Sequence, residues 1–286
     1  MGILSRMNKV THKHPTSRRL TRTLVALVSI LLLCLTACSY VEDGWTLEDE
    51  GDTTWEASPS GPYYDQSAFH MDGGRYQYDD GTTVTQRTGV DVSDHQEAID
   101  WNAVAADGIS FAFIRIGYRG NTEGGLFADA LFETNYQAAR DAGLACGTYF
   151  YSQATTIEEA QEEASFVLGL LADRPLDYPV AFDYEVVPDT RIAGVDPQTV
   201  VQIGQAFCSA IRAGGYKPMV YGNTFDLARF DDPWLADCSI WCAEYDGGPS
   251  YERKTDIWQY SNQGYVSGIN GLVDLNLDLF DVRPSA

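Results

Sequence analysis

From Thr88 to the end of the chain, short apolar runs of strand length alternate with amphipathic stretches of helix length, an alternation that admits few folds. Strands are predicted near 89–93, 111–116, 146–151, 179–185, 218–222, 239–244, 256–260 and 272–276. A helix over 157–172 gathers Ile157, Ala160, Ala164, Val167, Leu168 and Leu171 on one face. Its entry, Thr156-Ile157-Glu158-Glu159, has the spacing of a capping box. A second helix, 197–213, opens on Asp196-Pro197 and stops at Gly214-Gly215. A third, 127–142, ends at Gly143. Strands and helices in this order predict an α/β fold with a parallel sheet, whose chemistry collects at the C-terminal ends of the strands. Eight strands, fewer clear helices and a stretch from 243 to 272 short of helix predict an irregular, TIM-like (β/α) barrel.

Carboxylates sit where such a barrel would use them. Tyr178-Pro179-Val180-Ala181-Phe182 reads as a buried strand that ends in Asp183-Tyr184-Glu185. Side chains alternate along a strand, so Asp183 and Glu185 share one side and Tyr184 takes the other. Two neighbouring carboxyls in a poorly solvated cleft do not both ionise freely, and one keeps its proton near neutral pH. Cleavage of a glycosidic bond needs such a pair, although Asp-x-Glu also occurs at plain solvated strand ends. Val90-Asp91-Val92-Ser93 and Val273-Asp274-Leu275-Asn276 place two more acids on the first and last strands, where a closed barrel brings them to the same mouth.

Gly89-Val90-Asp91-Val92-Ser93-Asp94-His95-Gln96 with Ile99-Asp100-Trp101 resembles the opening of the glycoside hydrolase family 25 lysozymes. Phe113-Ile114-Arg115, Gly147-Thr148-Tyr149-Phe150-Tyr151, Asp183-x-Glu185, Trp258-Gln259-Tyr260 and Val273-Asp274-Leu275-Asn276 follow in that family's order. The resemblance covers about residues 88 to 286. It implies an irregular β/α barrel that cleaves the β-1,4 bond between N-acetylmuramic acid and N-acetylglucosamine in peptidoglycan, without a cofactor or metal. Glu97 departs from the pattern, because many members carry glycine there. Under this resemblance Glu185 is the proton donor, Asp183 stays charged beside it, and Asp91 and Asp274 support the pair. The 2-acetamido group of the substrate makes a substrate-assisted, retaining route available; a direct carboxylate nucleophile, Asp183 or Asp91, is the alternative. Asp91 and Asp274 also have a structural alternative, the capping of a turn.

Tyr149, Tyr151, Tyr221, Trp241, Trp258 and Tyr260 lie on predicted strands, and about half are expected to stack against sugar rings while the rest are core. Gln259 joins the expected substrate-binding set through its motif. Arg115, inside a strand, is expected to pair with a site acid. A chitinase-like hydrolase and a catalytically silent glycan-binding module are the rival readings. His95 is the single histidine of the barrel region, so a zinc site built from several histidines has no basis there. No Gly-Lys-Ser/Thr follows Gly117-Tyr118-Arg119-Gly120, which removes a phosphate loop.

The N-terminal region carries an address. Six basic residues precede an apolar run from Leu24 to Leu35, which reads as a signal peptide over 1–37. Leu35-Thr36-Ala37-Cys38 resembles a bacterial lipobox, which implies cleavage before Cys38 and lipid attachment there, anchoring the protein to the bacterial membrane on the side that faces the wall. Removing those six basic and no acidic residues takes the net charge from −22 to −28. Such a surface excludes nucleic acid and anionic lipid as partners, and glycan binding must rest on hydrogen bonds and stacking. Residues 38–87, rich in Asp, Glu, Gly, Ser, Thr and Tyr, read as an acidic, mostly disordered tether, with Tyr63, Tyr64, Tyr76 and Tyr78 leaving open a segment that packs on the barrel. The catalytic barrel is then 88–286, expected to act as a monomer and to fold without residues 1–87. Cys146, Cys208, Cys238 and Cys242 allow three disulfide pairings or buried free thiols.

Overall fold

The computed structural model describes residues 63–245 and 247–282. Twelve strands form two sheets. The first is a small antiparallel sheet of β1 (Phe69–Asp72), β2 (Arg75–Asp79) and β3 (Val84–Thr85). The second contains β4 (Thr88–Val92), β5 (Ile109–Arg119), β6 (Leu126–Ala128), β7 (Ala145–Tyr151), β8 (Val180–Asp183), β9 (Pro218–Asn223), β10 (Ser239–Ala243), β11 (Ile257–Gly264) and β12 (Val273–Asp278). Its order is β4-β12-β11-β10-β9-β8-β7-β5-β6, and β4 also pairs with β5, which closes an eight-stranded barrel with β6 appended outside the ring.

Among the described residues the α-helices are α1 (Trp101–Ala106), α2 (Phe132–Asp141), α3 (Ile157–Leu171), α4 (Pro197–Ala213) and α5 (Thr224–Ala228). Thr156 and Asp196 cap α3 and α4 by accepting from the third backbone N–H, as the sequence predicts. The helix expected from residue 127 begins at Phe132 instead. Residues 126–128 are taken by β6, which pairs antiparallel with the far end of β5.

Strand direction departs from the expected parallel pattern at one place. β12 runs antiparallel to both β11 and β4. Asp274 therefore lies at the start of its strand, and reversal of the strand brings that start to the end of the barrel where β4, β7 and β8 finish. Asp274 sits directly across from Asp91 in register.

Alternation sorts each strand into two faces. Inward residues Phe111, Phe113, Tyr178, Ala181, Met219, Trp241 and Ile257 fill the barrel as one buried cluster. Phe113 and Trp241 have ring centroids 4.5 Å apart. Glycine makes room for these rings: a Cβ on Gly147 would lie 2.6 Å from Phe113, and one on Gly89 would overlap the Phe111 ring. Outward residues pack under the helices, for example Phe182 against Phe207 of α4 at 4.8 Å.

Among the described residues no helix follows β10 or β11, so the outer face of β11 needs another cover. The N-terminal sheet supplies it. Tyr76 packs on Trp258 at 4.7 Å and on Tyr260 at 5.2 Å, and Phe69 meets Trp258 at 5.1 Å. Tyr64 Oη donates to the Thr255 carbonyl at 2.5 Å, and Arg75 pairs with Asp107 at 2.6 Å. Residues 63–87 thus pack on the barrel, the alternative their tyrosines leave open, and their aromatics cover β11 where a helix would lie. Cys38 and the export segment lie outside the described residues.

Candidate active site

At the end of the barrel where β4, β7, β8 and β9 finish, four inward carboxyls form two pairs. In the first, Asp91 Oδ2 accepts from Asn276 Nδ2 at 2.7 Å and from Gln259 Nε2 at 3.0 Å, and Asp274 is hydrogen-bonded to the same carboxyl. Burial pushes Asp91 up, while the donors Asn276, Gln259 and Asp274 hold it down. Asp274 is pushed up to about 9 by burial, by the Asp91 charge and by that shared bond. The proton of this pair rests on Asp274, and Asp91 is its charged member.

The second pair is Asp183 at the end of β8 and Glu185 two residues on. Burial pushes Asp183 well above the usual carboxylate range, and the neighbouring Glu185 charge and hydrogen bond push it the same way. Burial also raises Glu185 to about 7, followed by the like charge of Asp226. Asp183 Oδ1 is enclosed and has no hydrogen-bond partner. Glu185 is the more exposed of the two. Both carboxyls of the pair are therefore raised, so it holds a proton near neutral pH, as two adjacent buried acids do.

Aromatic and amide groups complete the mouth. Gln259 Oε1 accepts from Tyr221 Oη and from Tyr245 Oη, both at 3.0 Å, while its amide donates to Asp91. Trp241 Nε1 donates to Asn276 Oδ1 at 2.8 Å, and its ring meets Tyr221 at 4.6 Å. Tyr149 lies within the field of Asp91, Arg115 and Asp183, and Tyr151 within that of Asp183 and Glu185. Tyr149, Tyr151, Tyr221, Trp241 and Gln259 are thus brought together with the four acids.

Two expectations need correction. Trp258 is buried on the opposite face of β11, its Nε1 donating to the Glu244 carbonyl at 2.7 Å, beneath the N-terminal sheet. It is core because its parity on the strand is opposite to that of Gln259. Arg115 faces the barrel mouth but pairs with Asp129 at 2.8 Å and Asp94 at 2.5 Å, not with the four acids. Asp129, which follows β6, also accepts from the backbone N–H of Asp94 and Leu131, so Arg115 ties two loops together.

Three residues at the mouth escaped sequence reasoning. Asn276 was visible only as part of a motif, and Tyr245 and Asp226 lie on segments without strand periodicity. Asp226 is buried at the start of α5, where it accepts from the backbone N–H of Val186, immediately after Glu185. Glu97, exposed, adopts φ +54°, a backbone conformation that favours glycine. A cleft of about 720 Å³ runs beside the mouth between the β1–β2 hairpin and β11, with Tyr76, Tyr245, Tyr260, Gln263 and Tyr265 in its walls.

Residues 90–269 match the family model for glycosyl hydrolases family 25. The chain is 32% identical over 207 residues to the uncharacterized protein YegX of Escherichia coli K12, covering 66% of this chain and 68% of that one. It is 28% identical over 189 residues to the autolytic lysozyme of Clostridium acetobutylicum, covering 66% and 54%. In structure it resembles the bacterial lysozyme from Streptomyces coelicolor with a TM-score of 0.56 at 24% identity, over 66% of this chain and 90% of that one.

Proposed function

The chain belongs to the glycosyl hydrolases of family 25, and from that premise we propose that it is an exported lysozyme that cleaves the muramic acid to glucosamine β-1,4 bond of peptidoglycan with retention and substrate assistance. Peptidoglycan hydrolysis follows from the family and its lysozyme relatives. The finer mechanism rests on one observation, the adjacent Asp183 and Glu185 carboxyls, both raised by burial, Glu185 to about 7.

On binding, an acetamido N–H of the substrate approaches the Asp183 carboxyl. Its hydrogen bond favours charged Asp183, and the shared proton moves to Glu185. The acetamido carbonyl oxygen then attacks the anomeric carbon as the glycosidic C–O bond breaks, and Glu185 gives its proton to the departing oxygen. Asp183 offsets the positive charge that develops on the cyclised ring. Glu185, now a carboxylate, takes a proton from the water that opens the ring from the face the leaving group vacated, so the configuration is retained. Asp91, held by Asn276, Gln259 and Asp274, fixes the floor of the site. Tyr149, Tyr151, Tyr221 and Trp241 shape the sugar position, and the cleft beside Tyr245 and Tyr265 suits further units of a long polymer.

The lipobox-like Leu35-Thr36-Ala37-Cys38 supports anchoring at Cys38, with the barrel held at the membrane facing the wall. Mass spectrometry of fragments released from peptidoglycan tests the bond: reducing-end muramic acid is expected, and reducing-end glucosamine would refute the assignment. Inhibition by a thiazoline that mimics the cyclised acetamido ring is expected. A sugar ester trapped on Asp183 or Asp91 with a 2-fluoro glycoside would end the substrate-assisted route.

A further inference from the structure

The four cysteines among the described residues are placed unequally. Cys146 on β7 and Cys242 on β10 are buried on the outer face of the barrel, with β8 and β9 between them. Three strand spacings put them ~10 Å or more apart, beyond the ~7 Å Cα separation a disulfide spans. Cys208 is enclosed on α4, and half-buried Cys238 follows the 3-10 turn Pro233–Asp237 that leads into β10.

These last two thiols lie close enough that each shifts the other's proton affinity. Arg212, one helical turn beyond Cys208, directs Nη2 to Cys238 Sγ at 3.8 Å and holds it there with a bond to the Asp237 carbonyl at 2.7 Å. A surface cleft of about 350 Å³, walled by Arg212, Tyr216, Lys217, Pro218 and Asp237, gives access to Cys238. The neighbouring Cys208 thiol and the Arg212 charge hold the Cys238 thiol below its ordinary value, and burial holds Cys208 well above. An accessible thiol of lowered pKa beside a cation, with an enclosed second thiol at hand, is the arrangement of a reactive dithiol.

We propose that Cys208 and Cys238 are a redox pair that closes to a disulfide, with a small-molecule or protein disulfide as the oxidant. Cys238 thiolate attacks one sulfur of the oxidant, forming a mixed disulfide and releasing the other sulfur as a thiolate. Cys208 loses its proton to that base and attacks Cys238 Sγ, expelling the second thiolate. Two protein thiols are oxidised and one disulfide is reduced to two thiols. The bridge closes the segment that carries β9 and α5, and with them Tyr221 and Asp226. This inference does not depend on the glycan reading.

The test uses the purified full chain, reduced, freed of reductant, treated with oxidised glutathione, quenched in acid and alkylated after unfolding. Peptide mass spectrometry is expected to find Cys208 joined to Cys238, with Cys146 and Cys242 alkylated. In the Cys208→Ser variant, Cys238 is expected to stop at the glutathione adduct; in Cys238→Ser, Cys208 should remain a free thiol. The bridged protein should melt roughly 5–15 °C above the reduced one. Wild-type Cys238 recovered as a free thiol or a lasting glutathione adduct, or an unchanged Tm in the bridged form, would overturn the proposal.

Discussion

Replacing Glu185 by glutamine should move activity and stability in opposite directions. The folded site raises this carboxyl from 4.5 to about 7, first by burial and then by the charge of Asp226. At ~1.4 kcal/mol per unit, that difference corresponds to about 3 kcal/mol between the protonation states. Because the folded protein binds this proton more tightly than the unfolded chain does, its contribution is fully present below about pH 4.5 and is lost as pH rises through about 7. Glutamine has no proton to lose. In urea unfolding, the stability of Glu185→Gln relative to wild type should therefore rise by about 3 kcal/mol between about pH 4 and about pH 8. Relief of Asp183, which the Glu185 charge also disfavours, acts in the same direction. Turnover on peptidoglycan should fall by ~10²–10⁴ while glycan binding persists. A stability difference that stays flat with pH would refute the elevated acid, and wild-type turnover in a folded variant would refute its role.

Three further outcomes are expected. Asp226→Asn removes the principal like charge acting on Glu185, so the alkaline limb of the pH–rate profile should move down by about one unit; an unmoved limb would contradict that influence. A chain starting at residue 88 uncovers Trp258 and Tyr260, and ~100 Å² from each at ~25 cal/mol per Å² makes it about 5 kcal/mol less stable than one starting at residue 57; equal urea midpoints would show that the N-terminal sheet is not part of the core. Trp258→Ala should cost ~3–5 kcal/mol of stability yet leave kcat/KM per folded molecule unchanged, and a selective loss of KM would return Trp258 to the groove.

The barrel strands and the three long helices could be read from the sequence because each is both periodic and bounded by its own cap or stop, as at Thr156 and Asp196. Strand direction has no such local mark: Val273-Asp274-Leu275-Asn276 looks alike running either way, and only pairing with β4 reveals the reversal. Parity separates Gln259 from Trp258, but a motif names both and does not say which face is inside. Residues 63–87 have the composition of a tether, with tyrosines that leave packing on the barrel open; which of the two holds is decided only by the outer face of β11, which those aromatics cover. Arg115 was expected to seek an acid and does, but Asp129 becomes its neighbour through β6, a three-residue strand too short to carry a period.

The reversed last strand also sets when the enzyme can act. Asn276 and Asp91, hydrogen-bonded across the β4–β12 seam, stand 185 positions apart in the chain. A polypeptide emerging N-terminus first must extend past residue 276 before Asp274, Asn276 and Asp91 can meet, so the site is completed well after Asp183 and Glu185 have been made. Topology here works as a safety catch: a prematurely terminated or clipped chain can still carry Asp183 and Glu185 together, yet it lacks the wall against which they must work.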